Sequence, residues 1–308
     1  MTTSVQSAVR TTPIISLAPV SLPAPYRGQD LEVRVSAPAT GRDLPIVVFA
    51  HGFSLSMRDY APLADYWAGR GFVVIQPTFL DSRLVGLASD DPRTPDIWRI
   101  RVQDMKNAAD NLDLIERSVP GLEGRLDRTR IAAAGHSYGA QTAGMLIGAR
   151  VRDPGGEPGA SMADPRFTVG VLLANAGDGG SLTPVAAQFF PFMRPDFTQM
   201  TAPAFIAAGD HDQSLLSTRG PDWFTDVYTM SPGSKALLTV FGGEHSLGGI
   251  NGYEAAATTD ESPERVDLVR HLSWAYLRAT LAGDDTAWAN AVAELASSQE
   301  PLGRLESK

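Results

Sequence analysis

Short, unbroken apolar runs recur along this chain, each separated from the next by a longer segment of helical periodicity. Residues 45–50 (PIVVFA) and 72–76 (FVVIQ) are the first two, and 131–134, 169–173, 204–208 and 236–241 continue the series. Residues 31–36 alternate in the manner of an early strand. A strand that is apolar at every position is buried on both faces, and such strands alternate with helices in a mostly parallel sheet wrapped on both sides. The expected architecture is therefore α/β, a doubly wound sheet of about eight strands flanked by helices.

The clearest helix is expected over 95–119, with Thr94 as its cap, Pro95 in its first turn and Pro120-Gly121 as its stop. Trp98, Val102, Met105, Ala109, Leu112 and Val119 recur at helical spacing and define one apolar face. Residues 140–151 and 264–281 are the next two expected helices. Residues 1–25 are rich in Ser, Thr and Pro and read as a loosely held tail, with 26–308 as a single domain. The segment 177–203 breaks the rhythm. It holds prolines at 184, 191, 195 and 203 and a cluster of Phe189, Phe190, Phe192, Met193, Phe197 and Met200. It reads either as a lid-like insertion over a pocket or as a loop packed on the core.

Charge and composition remove several functions. With 26 Lys and Arg against 35 Asp and Glu, the formal net charge is −9, and no basic cluster is present to bind nucleic acid. The chain has no cysteine, which rules out thiol nucleophiles, disulfides and cysteine-ligated zinc. No apolar stretch approaches the roughly 18–20 residues of a membrane span. The first 25 residues lack the basic start and unbroken apolar run of a signal peptide, so a cytoplasmic location is expected.

Gly135-His136-Ser137-Tyr138-Gly139 fits the Gly-x-Ser-x-Gly pattern. Its context gives it weight, because it follows the apolar run 131–134 and leads directly into a helix of small and apolar residues. A serine on a sharp strand-to-helix turn projects its hydroxyl from the sheet edge, and flanking glycines prevent collisions with the neighbouring strand and helix. The free N–H groups of the helix start then face the same site. With this motif the chain resembles the α/β-hydrolase superfamily over about residues 30–281. Within it, the chain is similar to the chlorophyllase and dienelactone-hydrolase group of serine esterases, which includes polyester-degrading relatives.

A serine hydroxyl needs a base, and histidine suits that task near neutral pH. Of five candidates, His136 should point away from its neighbour Ser137, and His271 lies within a helical pattern. His51 follows an early strand and His211 ends a later one. His245, in the glycine-rich loop FGGEHS after the last apolar run, completes the order Ser, acid, His of this fold. The acid should lie in Gly209-Asp210-His211-Asp212. The resembled families often carry Gly-x-x-Asp here, which selects Asp212, with Asp210 as the alternative. The resemblance also makes His51-Gly52-Phe53-Ser54 the oxyanion loop, with the backbone N–H groups of Phe53 and Tyr138 as donors. Two departures are visible: Ala140 stands where many relatives carry a second glycine, and Tyr138 where chlorophyllases tend to have arginine.

These residues lead to the expectation of a carboxylic ester hydrolase working through an acyl-enzyme, with no metal or organic cofactor. The aromatic and methionine cluster at 189–200 suits a small-molecule ester with an apolar acyl or aromatic group. A peptidase, acyltransferase or perhydrolase on the same triad is the alternative within the fold. A non-catalytic hydrolase-like binding protein is the alternative outside enzymology.

Overall fold

The structure is a computed structural model that describes residues 11–88, 90–153, 155–252 and 258–308. Its strands are β1 (Ile14–Leu22), β2 (Leu31–Pro38), β3 (Leu44–Ala50), β4 (Val73–Pro77), β5 (Leu126–His136), β6 (Arg150–Val151), β7 (Phe167–Leu173), β8 (Pro195–Asp196), β9 (Ala204–Gly209), β10 (Lys235–Val240) and β11 (Gly303–Ser307). The helices are α1 (Ala61–Ala68), α2 (Ile97–Asp110), α3 (Leu112–Ser118), α4 (Tyr138–Leu146), α5 (Pro184–Phe189), α6 (Asp226–Met230), α7 (Pro263–Ala282) and α8 (Asp285–Ser297).

Nine strands form one sheet in the order β1-β2-β4-β3-β5-β7-β9-β10-β11. The strands from β4 to β10 run parallel, whereas β2 runs antiparallel to β4. β1 and β11 close the two edges as antiparallel strands. β6 and β8 pair separately as a short ribbon. The continuous apolar runs are explained by two cores. In β3, Ile46, Val48 and Ala50 face the layer of α2, α3 and α4, while Val47 and Phe49 face the layer of α1, α7 and α8. In β5, Ile131 and Ala133 face the first layer and Ala132 and Ala134 the second. Successive side chains point to opposite faces, so a strand covered on both sides must be apolar throughout.

Four expectations are corrected. The tail expected at 1–25 is structured from Ile14 onward: β1 pairs with β2, and within it Val20 and Leu22 are deeply buried. An edge strand tolerates Pro19 because one row of its N–H groups has no partner to lose. Residues 1–10 of that tail lie outside the described residues. The helix expected over 95–119 is two helices. They part at Asn111 (φ −105°, ψ 25°), whose side-chain amide donates to the Asn107 carbonyl at 2.9 Å. Asparagine competes with the backbone in this way and interrupts a helix. Thr94 does not cap it; Thr94–Asp96 forms a single 3-10 turn without a side-chain cap. The helix expected over 140–151 ends at Leu146, because Gly148 turns the chain at φ 117° into β6. Finally, the sheet has two strands, β1 and β11, that no apolar run announced.

Segment 177–203 divides between its two readings. Phe197 and Met200 are buried in the core. Met193 belongs to the same core and, with Phe189, Phe190 and Phe192, also lines a cavity over Ser137.

Candidate active site

The site lies at the carboxyl ends of β3, β5, β9 and β10, where four loops converge. Ser137 sits between β5 and α4 with φ 56° and ψ −122°, a conformation that is strained for a side-chain-bearing residue. The two glycines of the motif are required by close approach. A Cβ at Gly135 would lie 2.3 Å from the Gly139 carbonyl oxygen, and one at Gly139 would lie 2.0 Å from that of Ala50. Helix α4 therefore packs backbone against backbone, and its first turn opens toward the serine.

The loops after β9 and β10 are pressed together in the same manner. A Cβ at Gly209 would stand 2.1 Å from the Gly243 carbonyl oxygen, and the His211 N–H donates to that oxygen at 2.9 Å. This contact brings Asp212 and His245 side by side. His245 Nδ1 lies 2.9 Å from Asp212 Oδ2, and His245 Nε2 lies 2.8 Å from Ser137 Oγ. A carboxylate oxygen accepts, so this contact places the imidazole proton on Nδ1 and leaves Nε2 facing the Ser137 hydroxyl. Asp212 is fully buried, while the His245 side chain is 44% exposed and reaches into the cavity. Asp210 plays a different part: it accepts the Gly242 N–H at 2.6 Å and holds the turn. The His245 loop is clamped from behind by Asp260, whose Oδ2 accepts the N–H groups of Glu244 and Gly248, each at 2.8 Å.

The loop 51–54 is pinned residue by residue, which leaves one donor over. Gly52 N–H donates to Tyr60 Oη at 3.1 Å and Ser54 N–H to Asp81 Oδ2 at 3.2 Å. Between them, the Phe53 N–H has no acceptor among the described residues. The same holds for Tyr138 N–H, at the first position of α4, while Ser137 N–H is occupied by the Leu173 carbonyl. Phe53 and Tyr138 both line the cavity that contains Ser137. His51 is structural: its Nδ1–H donates to the Gly52 carbonyl at 2.6 Å and its Nε2 accepts the Phe79 N–H at 3.1 Å. Burial pushes its pKa down to about 3, so it stays neutral.

Four residues near the site were not singled out from sequence: Arg101, Asp81, Tyr60 and His136 in its actual role. Arg101, on α2, is fully buried. Its Nη1 donates to both oxygens of Asp81 at 2.7 and 2.8 Å, and its Nη2 donates to the His51 carbonyl. The guanidinium carbon also lies 4.3 Å from the centre of the Tyr138 ring. Arg101 thus braces the loop 51–54 from one side and the residue after the serine from the other. Its partners lie 20–50 residues away in sequence, and no local signal marks it.

The cavity has a volume of about 650 Å³. Phe190, Phe192 and Met193 form one wall and Trp223 and Phe224 another, with the Phe224 ring 5.6 Å from that of His245. Asp81, the one carboxylate on its lining among the described residues, is paired with Arg101. Among the described residues, no three His, Asp or Glu side chains are grouped to hold a metal ion, and no helix is long and apolar enough to cross a membrane.

A nine-stranded, mostly parallel sheet with helices on both faces, and a serine at a strained strand-to-helix turn, defines the α/β-hydrolase fold. The chlorophyllase family model matches residues 20–149, in agreement with the resemblance read from sequence, and this family of the same superfamily indicates hydrolysis of esters. The matched stretch carries Phe53, Ser137 and Tyr138 and ends before Asp212 and His245. No curated protein matches the chain.

Proposed function

We propose that this protein is a serine esterase that cleaves carboxylic esters with an apolar acyl or aromatic group, through an acyl-enzyme on Ser137. The observation that carries the reading is the continuous line Asp212–His245–Ser137, with hydrogen-bond distances of 2.9 and 2.8 Å, on the wall of an apolar cavity. Ser137 Oγ attacks the ester carbonyl carbon as its proton passes to His245 Nε2. The oxygen of the tetrahedral intermediate takes the unused N–H groups of Phe53 and Tyr138. His245 then gives its proton to the departing alkoxide, and the alcohol leaves. Water, deprotonated by the same nitrogen, attacks the acyl-enzyme carbonyl; as the acid leaves, His245 returns that proton to Ser137 Oγ. Asp212 stays ionised throughout, holding the tautomer and stabilising the imidazolium.

The test is hydrolysis of p-nitrophenyl esters of increasing acyl length by wild type, Ser137→Ala and His245→Ala. Turnover by wild type, with a fall of several orders of magnitude in both variants, is the expected result. An inert wild type whose Ser137 is not labelled by a fluorophosphonate would refute the reading. Amide and acyl-acceptor substrates in the same assay separate ester hydrolysis from peptidase or acyltransferase chemistry.

A further inference from the structure

Gly52 and His245 lie on different loops, after β3 and after β10, yet one line of hydrogen bonds joins them. Gly52 N–H donates to Tyr60 Oη at 3.1 Å. Tyr60 Oη lies 2.8 Å from His136 Nδ1, and His136 Nε2 lies 2.7 Å from the His245 carbonyl oxygen. The direction of the line is forced from both ends, because an amide N–H only donates and a carbonyl only accepts. His136 must therefore carry its proton on Nε2, and the Tyr60 hydroxyl must donate to Nδ1. Tyr60 and His136 are both buried and use their polar atoms fully. Burial, with the neighbouring His245 adding to it, pushes the pKa of His136 down to about 3. It is thus neutral, as the line requires. Gly52 fits the same purpose: a Cβ there would stand 3.0 Å from Tyr60 Oη and 3.5 Å from His136 Nδ1.

We propose that Tyr60 and His136 are positioning residues that hold the backbone of the base His245 and the oxyanion loop at Gly52-Phe53 in one register. Neither side chain lines the substrate cavity, so they act through the loops and not on the substrate. Asp260 clamps one loop and Arg101 with Asp81 braces the other, and the Tyr60 backbone N–H ties the two segments further out by donating to the Asn251 carbonyl at 2.9 Å. What the side-chain line adds is the placement of the His245 backbone relative to Gly52, on which the geometry of proton transfer and oxyanion stabilisation depends jointly. Hydrogen bonds that run in one direction through a dry interior also reinforce one another. His136 is thus the reason the residue before the nucleophile, though turned away from the serine, bears on its chemistry.

The proposal rests on the esterase reading of Ser137, and its test separates the two. Turnover of p-nitrophenyl butyrate is measured for Tyr60→Phe, His136→Leu and His136→Gln, with thermal midpoints to set the assay well below unfolding. Tyr60→Phe and His136→Leu are expected to lower kcat by tenfold or more with KM within twofold. His136→Gln keeps an amide donor toward the His245 carbonyl and is expected within fivefold of wild type. Folded Tyr60→Phe with kcat within threefold of wild type would overturn the proposal, even if His136→Leu fails to fold. So would His136→Gln falling as far as His136→Leu. A readout independent of turnover is the 15N spectrum of the histidines: His136 should remain neutral with its proton on Nε2 from pH 5 to 8. An inert wild type with that tautomer present sinks the esterase reading alone, and the opposite tautomer sinks the register proposal alone.

Discussion

Gly139→Ala tests how the site is built, because a single methyl group is placed where two backbones touch. Its Cβ would lie 2.0 Å from the Ala50 carbonyl oxygen and 2.7 Å from that of His51. Close carbon–oxygen contacts in proteins settle at about 3.3 Å or beyond. The start of α4 and the end of β3 must therefore separate by about 1 Å. That movement carries Tyr138 N–H away from Phe53 N–H, since one belongs to α4 and the other to the loop that leaves β3. A displacement of about 1 Å costs on the order of a hundredfold in rate, and losing one oxyanion donor costs about 10²–10³. The variant should lose at least about a hundredfold in kcat on p-nitrophenyl butyrate, and overpacking should lower stability by about 1–3 kcal/mol. Gly144→Ala in the same helix is the control. Its Cβ would meet nothing closer than 3.7 Å, so it should keep full activity and gain up to about 1 kcal/mol from helix propensity. A folded Gly139→Ala with kcat within threefold of wild type would refute the reasoning that this contact sets the oxyanion geometry.

Three further outcomes follow from the buried polar groups. Arg101→Leu strands the Asp81 carboxylate in a site where the pair is 0% and 4% exposed, and should lose about 3–5 kcal/mol in urea unfolding. The double variant Arg101→Leu/Asp81→Leu should be more stable than the single one; a double variant less stable than the single would show that the stranded charge is not the cause. Asp212→Asn keeps the shape but not the tautomer and should lower kcat by about 10³–10⁴, read with the same ester. Acid should destabilise the fold. His51 and His136 have their pKa lowered from 6.5 to about 3, so the unfolded chain binds two protons below pH 6.5 that the folded chain does not, and stability falls with pH. Burial raises the pKa of Asp104 from 3.8 to about 7, which acts oppositely in this window by one proton. Because the unfolded-chain histidines are only half protonated at pH 6.5, the net loss from pH 6.5 to 5 is about 1 kcal/mol; urea-unfolding free energies that stay level or rise over that interval would contradict the assignment.

What could be read in the sequence was what depends on neighbours in the chain. The strands of the central sheet are continuous apolar runs because both their faces are covered, so burial itself wrote the signal. β1 and β11 are half-exposed edge strands, carry prolines or charged residues, and so leave no such run. The break at Asn111 was hidden inside a periodic apolar face that continues through both α2 and α3. Ser137 and His245 stood out because each follows an apolar run within a glycine-rich turn. Between Asp212 and Asp210 the resemblance alone selects Asp212, since both lie in one turn and its folding against Gly243 decides which carboxylate faces His245.

The parts of the site that stayed hidden share one property: their partners are remote in the chain. Tyr60 meets His136 across 76 residues, His136 meets His245 across 109, and Arg101 meets His51 across 50. A motif can announce a nucleophile, because the strain that makes it useful is imposed by the residues on either side. It cannot announce what keeps two loops in register, because that is a relation between chain segments that only the fold brings together. For the same reason the side chain next to Ser137 was read only as pointing away from it. The structure adds where it points: toward the backbone of the residue that takes the serine's proton in the mechanism proposed above.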